Sequence, residues 1–331
     1  MSIFNISILN INIYNIYISY IHILNISIFN ISIYNTSILN IHIFNIYISN
    51  ISILNIHIFN ISILNMNIRN IGEQSMGKVI SVSNQKGGVG KTTTTIEFAS
   101  ILSGKGKKVL VIDFDPQGNT SSSLPCDHKK PTIFDVMEAK NTVAEAIQHS
   151  EYCDIITSSS DLSKVDALYL DFDAMFILKD ITDSIKDDYD FIFIDTTPAK
   201  SIKNTMTYIA ADYIIAPTEV DKNSMEGIEE LNNDLKKLKG GRTSVSNASI
   251  ALILLTRFTK RAVMYQLALD SLNNLAKNLE GSPEVFCIRN SVASSEAKDF
   301  EQPIGVYATK NQVSRDYRKA VDLFLEKIGE K

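Results

Sequence analysis

Val79-Ile80-Ser81-Val82-Ser83-Asn84-Gln85-Lys86-Gly87-Gly88-Val89-Gly90-Lys91-Thr92-Thr93-Thr94 runs from an apolar stretch into a glycine-rich turn and on into a helix-forming segment. This is the layout of a phosphate-binding loop opened by a β-strand and closed by a helix N-terminus. Glycines let successive backbone N–H groups turn toward a phosphate, and the helix behind them adds a favourable dipole. In the pattern G-x-x-x-x-G-K-[ST], Lys91 meets the β- and γ-phosphates and Thr92 reaches Mg²⁺. The chain departs from that pattern near its opening glycine, where Lys86-Gly87 brings in a second lysine.

Two further stretches are placed to serve such a loop. Val111-Ile112-Asp113-Phe114-Asp115-Pro116-Gln117-Gly118-Asn119 ends an apolar run in two carboxylates and a rigid polar turn. Seen alone, it reads equally as a turn with a local Asp cap. Beside a phosphate loop, one acid there is a candidate to orient a water for in-line attack on a γ-phosphate. Asp190-Phe191-Ile192-Phe193-Ile194-Asp195-Thr196-Thr197-Pro198 is four apolar residues ending in Asp, the Walker B layout in which the acid supports Mg²⁺. Many buried strands end in Asp, so that motif gains weight only from the loop.

From Met76 onward, apolar runs bounded by polar turns alternate with helical stretches. Strands are expected at Val79–Ser83, Lys108–Ile112, Asp154–Thr157, Phe191–Ile194, Tyr213–Ala216, Ile250–Leu255 and Val285–Ile288. Helices are expected near Thr92–Leu102, Leu162–Tyr169, Ala174–Ile185, Ser201–Ala210, Ser224–Leu238, Ala262–Leu279 and Val313–Ile328. Continuous apolar strands separated by helices imply an α/β fold, a doubly wound, mostly parallel sheet flanked by helices. Ligands of such sheets bind at the carboxyl ends of the strands, where the phosphate loop stands.

Residues 1–75 differ in kind. Residues 3–72 carry a five-residue repeat, Ile-x-Asn-Ile-x, as in Ile3-Phe4-Asn5-Ile6-Ser7 and Ile28-Phe29-Asn30-Ile31-Ser32, with Arg69 the exception to its lack of charge. A period of five is neither the 2.0 of a strand nor the 3.6 of a helix. Three readings stand: a β-solenoid, a disordered or aggregation-prone tract, and a translated tandem repeat upstream of a start at Met76. The bulk of both isoleucines counts against the solenoid, and the fresh beginning at Met76-Gly77-Lys78 favours the last reading. The repeat generates Asn-Ile-Ser triplets trivially, so they carry no weight as glycosylation sites.

The 331 residues have a net charge of −5, which argues against a surface coated in positive charge but leaves room for a local basic patch. Cys126, Cys153 and Cys287 are far apart, form no CxxC pair, and fit ordinary buried thiols in a reducing cytosol. No basic leader and no membrane-spanning apolar stretch is expected.

Taken together, Asn84-Gln85-Lys86-Gly87-Gly88-Val89-Gly90-Lys91-Thr92-Thr93-Thr94, Asp113-Phe114-Asp115-Pro116-Gln117-Gly118-Asn119 and Asp195-Thr196-Thr197-Pro198 resemble the ParA/Soj family of partition ATPases. That family belongs to the deviant Walker A class of P-loop NTPases, which also holds MinD and the nitrogenase iron protein. The resemblance spans Met76–Lys331. It implies a cytoplasmic, nucleoid-associated ATPase using ATP and Mg²⁺, which dimerises around ATP, binds DNA nonspecifically and answers to a ParB-type centromere-binding protein. It implies that Lys86 reaches across the dimer to the partner's nucleotide. Gly87, Gly88, Val89, Gly90, Lys91, Thr92 and Thr93 match the phosphate loop. Asp115 matches the acid that positions water, Asp195 the Walker B acid, and Asp113 serves Mg²⁺ or the switch loop. Ile288-Arg289-Asn290 resembles the loop near adenine, which puts Asn290 among the nucleotide contacts.

The chain departs from the family at Thr196-Thr197-Pro198, where Asp-x-Pro-Pro is common, and at Ser291–Ala297, which lacks a basic residue. For DNA, Arg261 best matches a contacting arginine, with Arg315, Arg318 and Lys319 on the last helix; singly, each reads as a solvated surface charge. The rivals are a MinD-like membrane-cycling ATPase, an iron–sulfur electron-transfer ATPase and a non-hydrolysing ATP switch. The stripe Val313, Tyr317, Ala320, Val321, Phe324 and Ile328 reads as a core face rather than a membrane face, and the three scattered cysteines do not suit a cluster.

Overall fold

The computed structural model describes residues 2–14, 17–18, 21–68, 77–198, 200–220, 224–240, 244–259 and 263–330. The chain divides into two compact units, Met1–Ser75 and Met76–Lys331.

In the first unit, the backbone strand Ser2–Tyr14 runs parallel to Ile21–Ile68, and so does Tyr17–Ile18. Ser2 lies opposite His22 and Tyr17 opposite Ser37, so paired residues are 20 apart, four pentads. Asn5 therefore stands beside Asn25 and Asn10 beside Asn30. Each position of the repeat pairs with the same position four repeats on, because the offset is a whole number of repeats.

The second unit is built on eight strands: β1 (Lys78–Val82), β2 (Val109–Phe114), β3 (Gln148–His149), β4 (Asp154–Ile156), β5 (Phe191–Thr196), β6 (Tyr213–Thr218), β7 (Ser249–Phe258) and β8 (Glu284–Arg289). Their order across the sheet is β8-β7-β6-β1-β5-β2-β4-β3. All pairs are parallel except β3–β4 at the edge. All seven expected strands are present; the two-residue β3 is new.

The central strands are apolar on both faces because helices cover both. Ile80 and Val82 enter one core cluster and Val79 another; likewise Val109 and Val111 part from Leu110, Ile112 and Phe114. The first cluster packs beneath α1 (Lys91–Gly104) and α11 (Gln312–Ile328), where Phe98 sets its ring edge-on to both Phe193 and Phe324. The second lies beneath α5 (Ile177–Ile185) and α6 (Ile202–Ala210), and a third beneath α7 (Ser224–Lys239) and α8 (Val263–Ala276). Val313, Tyr317, Ala320, Val321 and Phe324 of α11 are buried, and Ile328 packs against the same cluster. That stripe is a core face, as its spacing indicated. Among the described residues no helix is long and apolar enough to cross a membrane.

Four short helices escape the periodicity reading: α2 (Ile133–Met137), α3 (Val143–Ala146), α9 (Ala293–Asp299) and α10 (Ile304–Tyr307). Each is too short to show a 3.6-residue period. The first two nevertheless carry a readable start signal. Thr132 with Asp135, and Thr142 with Glu145, form reciprocal capping boxes. The expected helix over 162–169 resolves into a 3₁₀ turn, Ser160–Lys164, and α4 (Val165–Leu168).

Candidate nucleotide-binding site

The glycine-rich turn joins the carboxyl end of β1 to the start of α1. Gly90 caps the helix at φ 93°, a conformation that side-chain-bearing residues avoid. Gly88, at φ 77°, has nothing within 4 Å of where a Cβ would stand, leaving the turn open on that side. No side chain caps α1 and its first turn holds no acid, so its N-terminal N–H groups suit an anion. The turn is pinned from behind. Buried Asn84 accepts a hydrogen bond from the Lys86 N–H (2.9 Å) and donates to the Pro217 carbonyl (2.8 Å). Thr256 donates to the carbonyls of Val89 (2.9 Å) and Thr218 (3.0 Å).

Lys91 is buried, and its Nζ donates to the Lys86 carbonyl at 2.9 Å. Burial pulls its pKa down, against the opposing pull of Asp195 and Asp115. Asp195, at the end of β5, lies beneath the loop: Thr92 donates to its Oδ2 at 2.8 Å, Thr120 to the same oxygen at 2.7 Å, and Thr95 to Oδ1 at 3.4 Å. Burial raises the Asp195 pKa, while the bonds from Thr120 and Thr92 and the Lys91 charge hold it back.

Asp113 occupies the register position opposite Asp195. Its Oδ2 accepts from the Ser121 N–H and hydroxyl, both at 2.7 Å, and burial with the neighbouring Asp195 charge pushes its pKa up to about 7. Of the two roles open to Asp113, its contacts are with the turn that ends at Ser121. Asp115 begins that turn, accepting from the Gln117 N–H at 3.0 Å. The Ser158 hydroxyl donates to the Asp115 carbonyl at 2.5 Å, and the Ser158 N–H donates to the Ser121 hydroxyl at 3.0 Å. The turn is thus tied to the segment that follows β4.

Lys91, Thr92 and Asp115 line one cleft of about 290 Å³, whereas Asp113 and Asp195 lie behind its lining. Gly88, Gly90 and Thr93 of the loop line it as well, with Asn119, Arg257, Lys298 and Gln302. Of the two loop lysines, Lys91 lines the cleft and Lys86 does not; Gly87 and Val89 complete the turn outside the lining. Asn290 also lies outside it, with its N–H donating to the Phe258 carbonyl at 3.1 Å.

Several contributors are missing from the motif reading. Thr120 and Ser121 directly follow the Asp113–Asn119 motif and donate to Asp195 and to Asp113 respectively. Arg257 sits in an irregularity of β7 at φ 52°, paired with Glu219 Oε1 at 2.7 Å. A bulge of this kind re-aims a side chain, here toward the cleft. Glu97 also lines the cleft, and its only sequence signal is that it is the sole acid of its helix.

The basic residues fare unequally. Arg261 lies outside the described residues. Arg315 and Lys319 are exposed on α11. Arg318 is partly buried, donating to the carbonyls of Thr309 (3.2 Å) and Gly305 (3.5 Å). Arg289 is engaged by Asp316 and Gln312. The cysteines are free thiols, and burial pushes that of Cys153 up to about 12.

A sequence family described as an AAA domain matches residues 77–250. The chromosome partitioning protein ParA of Myxococcus xanthus is 30% identical over 251 residues, 74% of this chain and 87% of that protein. The chromosome-partitioning ATPase Soj of Treponema pallidum is 31% identical over 261 residues, 77% of this chain and 100% of that protein. Among solved structures, the McdA–ATP complex of Cyanothece superposes with a TM-score of 0.67 at 20% identity, covering 78% of this chain and 98% of that one. A plasmid partition protein of Borrelia burgdorferi bound to AMPPNP reaches 0.64 at 23% identity, covering 76% and 99%. Fold, loop and sequence likeness agree: the chain belongs to the ParA/Soj family of P-loop partition ATPases.

Proposed function

We propose that this protein hydrolyses ATP to drive the partition of plasmid or chromosomal DNA. The observation that carries the reading is the convergence of Lys91, Thr92, Asp115 and Asp195 at the carboxyl ends of β1, β2 and β5. Lys91 donates to the Lys86 carbonyl; β- and γ-phosphate oxygens are stronger acceptors for its ammonium. The oxygen-only set offered by Thr92 and Asp195 suits Mg²⁺, which takes few protein ligands and keeps its waters. Bound Mg²⁺ neutralises charge on the phosphates. Asp115, on the wall of the cleft, orients the attacking water.

Lys86, outside the lining of its own cleft, meets the nucleotide of a second subunit, so ATP joins two copies and completes both sites. The dimer binds DNA through phosphate contacts from exposed cations such as Arg315 and Lys319 and from Arg261, and weakens with salt. A ParB-type protein stimulates hydrolysis and releases the ATPase from DNA. The protein works in the cytoplasm on the nucleoid, with no membrane step; the burial of the α11 apolar stripe supports this over membrane cycling.

The test is Lys86→Ala measured against Lys91→Ala by nucleotide binding and by sedimentation with and without ATP. Lys86→Ala is expected to bind nucleotide yet stay monomeric, whereas Lys91→Ala loses nucleotide. ATP-dependent dimerisation of Lys86→Ala, or wild-type binding to liposomes and not to DNA, overturns the reading.

A further inference from the structure

Leu168, Leu170 and Phe172 expose 59%, 66% and 60% of their surface within five residues. Single exposed apolar side chains are ordinary on a protein surface, but three large ones in one short segment are not. Their neighbours are well anchored, so the exposure is not that of a loose loop. Tyr169, between the two leucines, is buried and donates its hydroxyl to Glu138 Oε1 at 2.5 Å. Phe172 sets its ring edge-on to Phe176 at 5.4 Å.

The segment is also one-sided in charge. From Val165 to Asp173 it holds Asp166, Asp171 and Asp173 and no lysine or arginine. Asp166 is engaged inward, accepting from the Ile202 N–H at 2.7 Å and from the Lys203 ammonium. Asp171 and Asp173 are exposed beside the apolar side chains.

Two routes join this segment to the nucleotide cleft. Upstream, it leads back to Ser158, which bonds to the Asp115 carbonyl and to Ser121, the residue holding Asp113. Sideways, Asp166 grips the N-terminus of α6, the helix that follows the Asp195–Pro198 stretch.

We propose that Leu168, Leu170 and Phe172, rimmed by Asp171 and Asp173, are the docking site for a cationic amphipathic segment of a partner protein. Docking there acts on the Asp115 turn through Ser158. Charge selects the occupant. A second copy meeting this patch about a two-fold axis brings Asp171 and Asp173 against their own counterparts. Asp171 and Asp173 disfavour DNA and anionic lipid. A segment with Leu-like side chains on one face and Lys or Arg flanking them satisfies both the apolar and the acidic features. The docking role rests on the partition reading, because it places the site through which a ParB-type stimulator acts.

The probe is a fluorescent amphipathic helix of leucine and lysine, with a leucine–glutamate helix as its charge control, titrated into the full chain with ATP and Mg²⁺. The wild type is expected to bind the lysine peptide, more weakly as salt rises, and not the glutamate peptide. Leu170→Ser/Phe172→Ser is expected to weaken binding roughly tenfold or more. Asp171→Lys/Asp173→Lys is expected to lose the lysine peptide and take up the glutamate peptide. Equal binding by wild type and variants overturns the proposal. So does sedimentation in which the wild type self-associates without binding peptide and the serine variant does not, since the occupant is then a second copy. Basal ATP hydrolysis and DNA binding of the wild type are measured alongside. Their absence sinks the partition reading and leaves the peptide result standing.

Discussion

Asp113 stands opposite Asp195 on the neighbouring parallel strands β2 and β5, and both carboxyls are buried. Two acids at adjacent strand ends cannot both ionise cheaply, and each is held by hydroxyls from the turn between them in the site: Thr120 for Asp195, Ser121 for Asp113. A cation arriving at Asp195 relieves the mutual repulsion, and the turn carrying Asp115, Thr120 and Ser121 is the element placed to respond.

Asp115→Ala removes a carboxylate that lines the cleft while leaving the side chains of Asp113 and Asp195 in place. This variant is expected to bind ATP, dimerise and bind DNA, with phosphate release roughly 10²–10⁴-fold slower. Single-turnover hydrolysis with DNA present checks it; wild-type rates remove Asp115 from the chemistry.

Ser121→Ala deletes the hydroxyl that donates to Asp113 and accepts from the Ser158 N–H. Both partners are left short of a bond in a buried site, a loss of about 1–3 kcal/mol. Urea denaturation measures the loss, and the Asp113 carboxyl, stripped of a donor, is expected to titrate still higher by NMR.

Glu97 is buried in α1, with its carboxylate accepting from the N–H groups of Ile304 and Gly305 (the latter at 3.0 Å). Burial nonetheless raises its pKa from 4.5 to about 7. A carboxyl raised on folding binds its proton more tightly in the native state, so stability is greatest below pH 4.5 and falls as pH rises to about 7, by on the order of 3 kcal/mol from this group. Asp113 acts in the same direction. Glu97→Gln is expected to flatten the pH 5–7 part of the stability curve; an unchanged slope shows that Glu97 does not titrate there.

Gly90→Ala meets only the Thr256 side chain, at 3.6 Å or more, so space permits the methyl group. Its φ of 93° does not. The strain is about 1–2 kcal/mol, and relieving it turns the loop's N–H groups away from the phosphates. ATP affinity, followed by calorimetry, is expected to drop more than folding stability.

Much of this is legible in the sequence. The apolar runs at β1, β2 and β5 showed period-free burial, which only a sheet covered on both faces produces, and each ran into its motif at the carboxyl end. The short helices were lost because four to seven residues hold too little period, although Thr132–Asp135 and Thr142–Glu145 carried a capping signal. Arg257 follows the apolar run Ile250–Leu255 in the sequence, and nothing local announces the bulge that turns it into the cleft. Arg318 looked like an exposed cation of α11 until its carbonyl partners in another segment were seen.

The sequence by itself determined the fold class, the phosphate loop and the identity of the two acids, because these depend on spacing and residue type within short windows. The tertiary structure alone decided what those residues touch. Thr92 and Asp195 are 103 residues apart in the chain, yet they are joined at 2.8 Å. Only the order β1-β5-β2, with its register, brings them there: chain-local patterns specify that strands form, whereas pairing is settled by the packing of whole faces against one another.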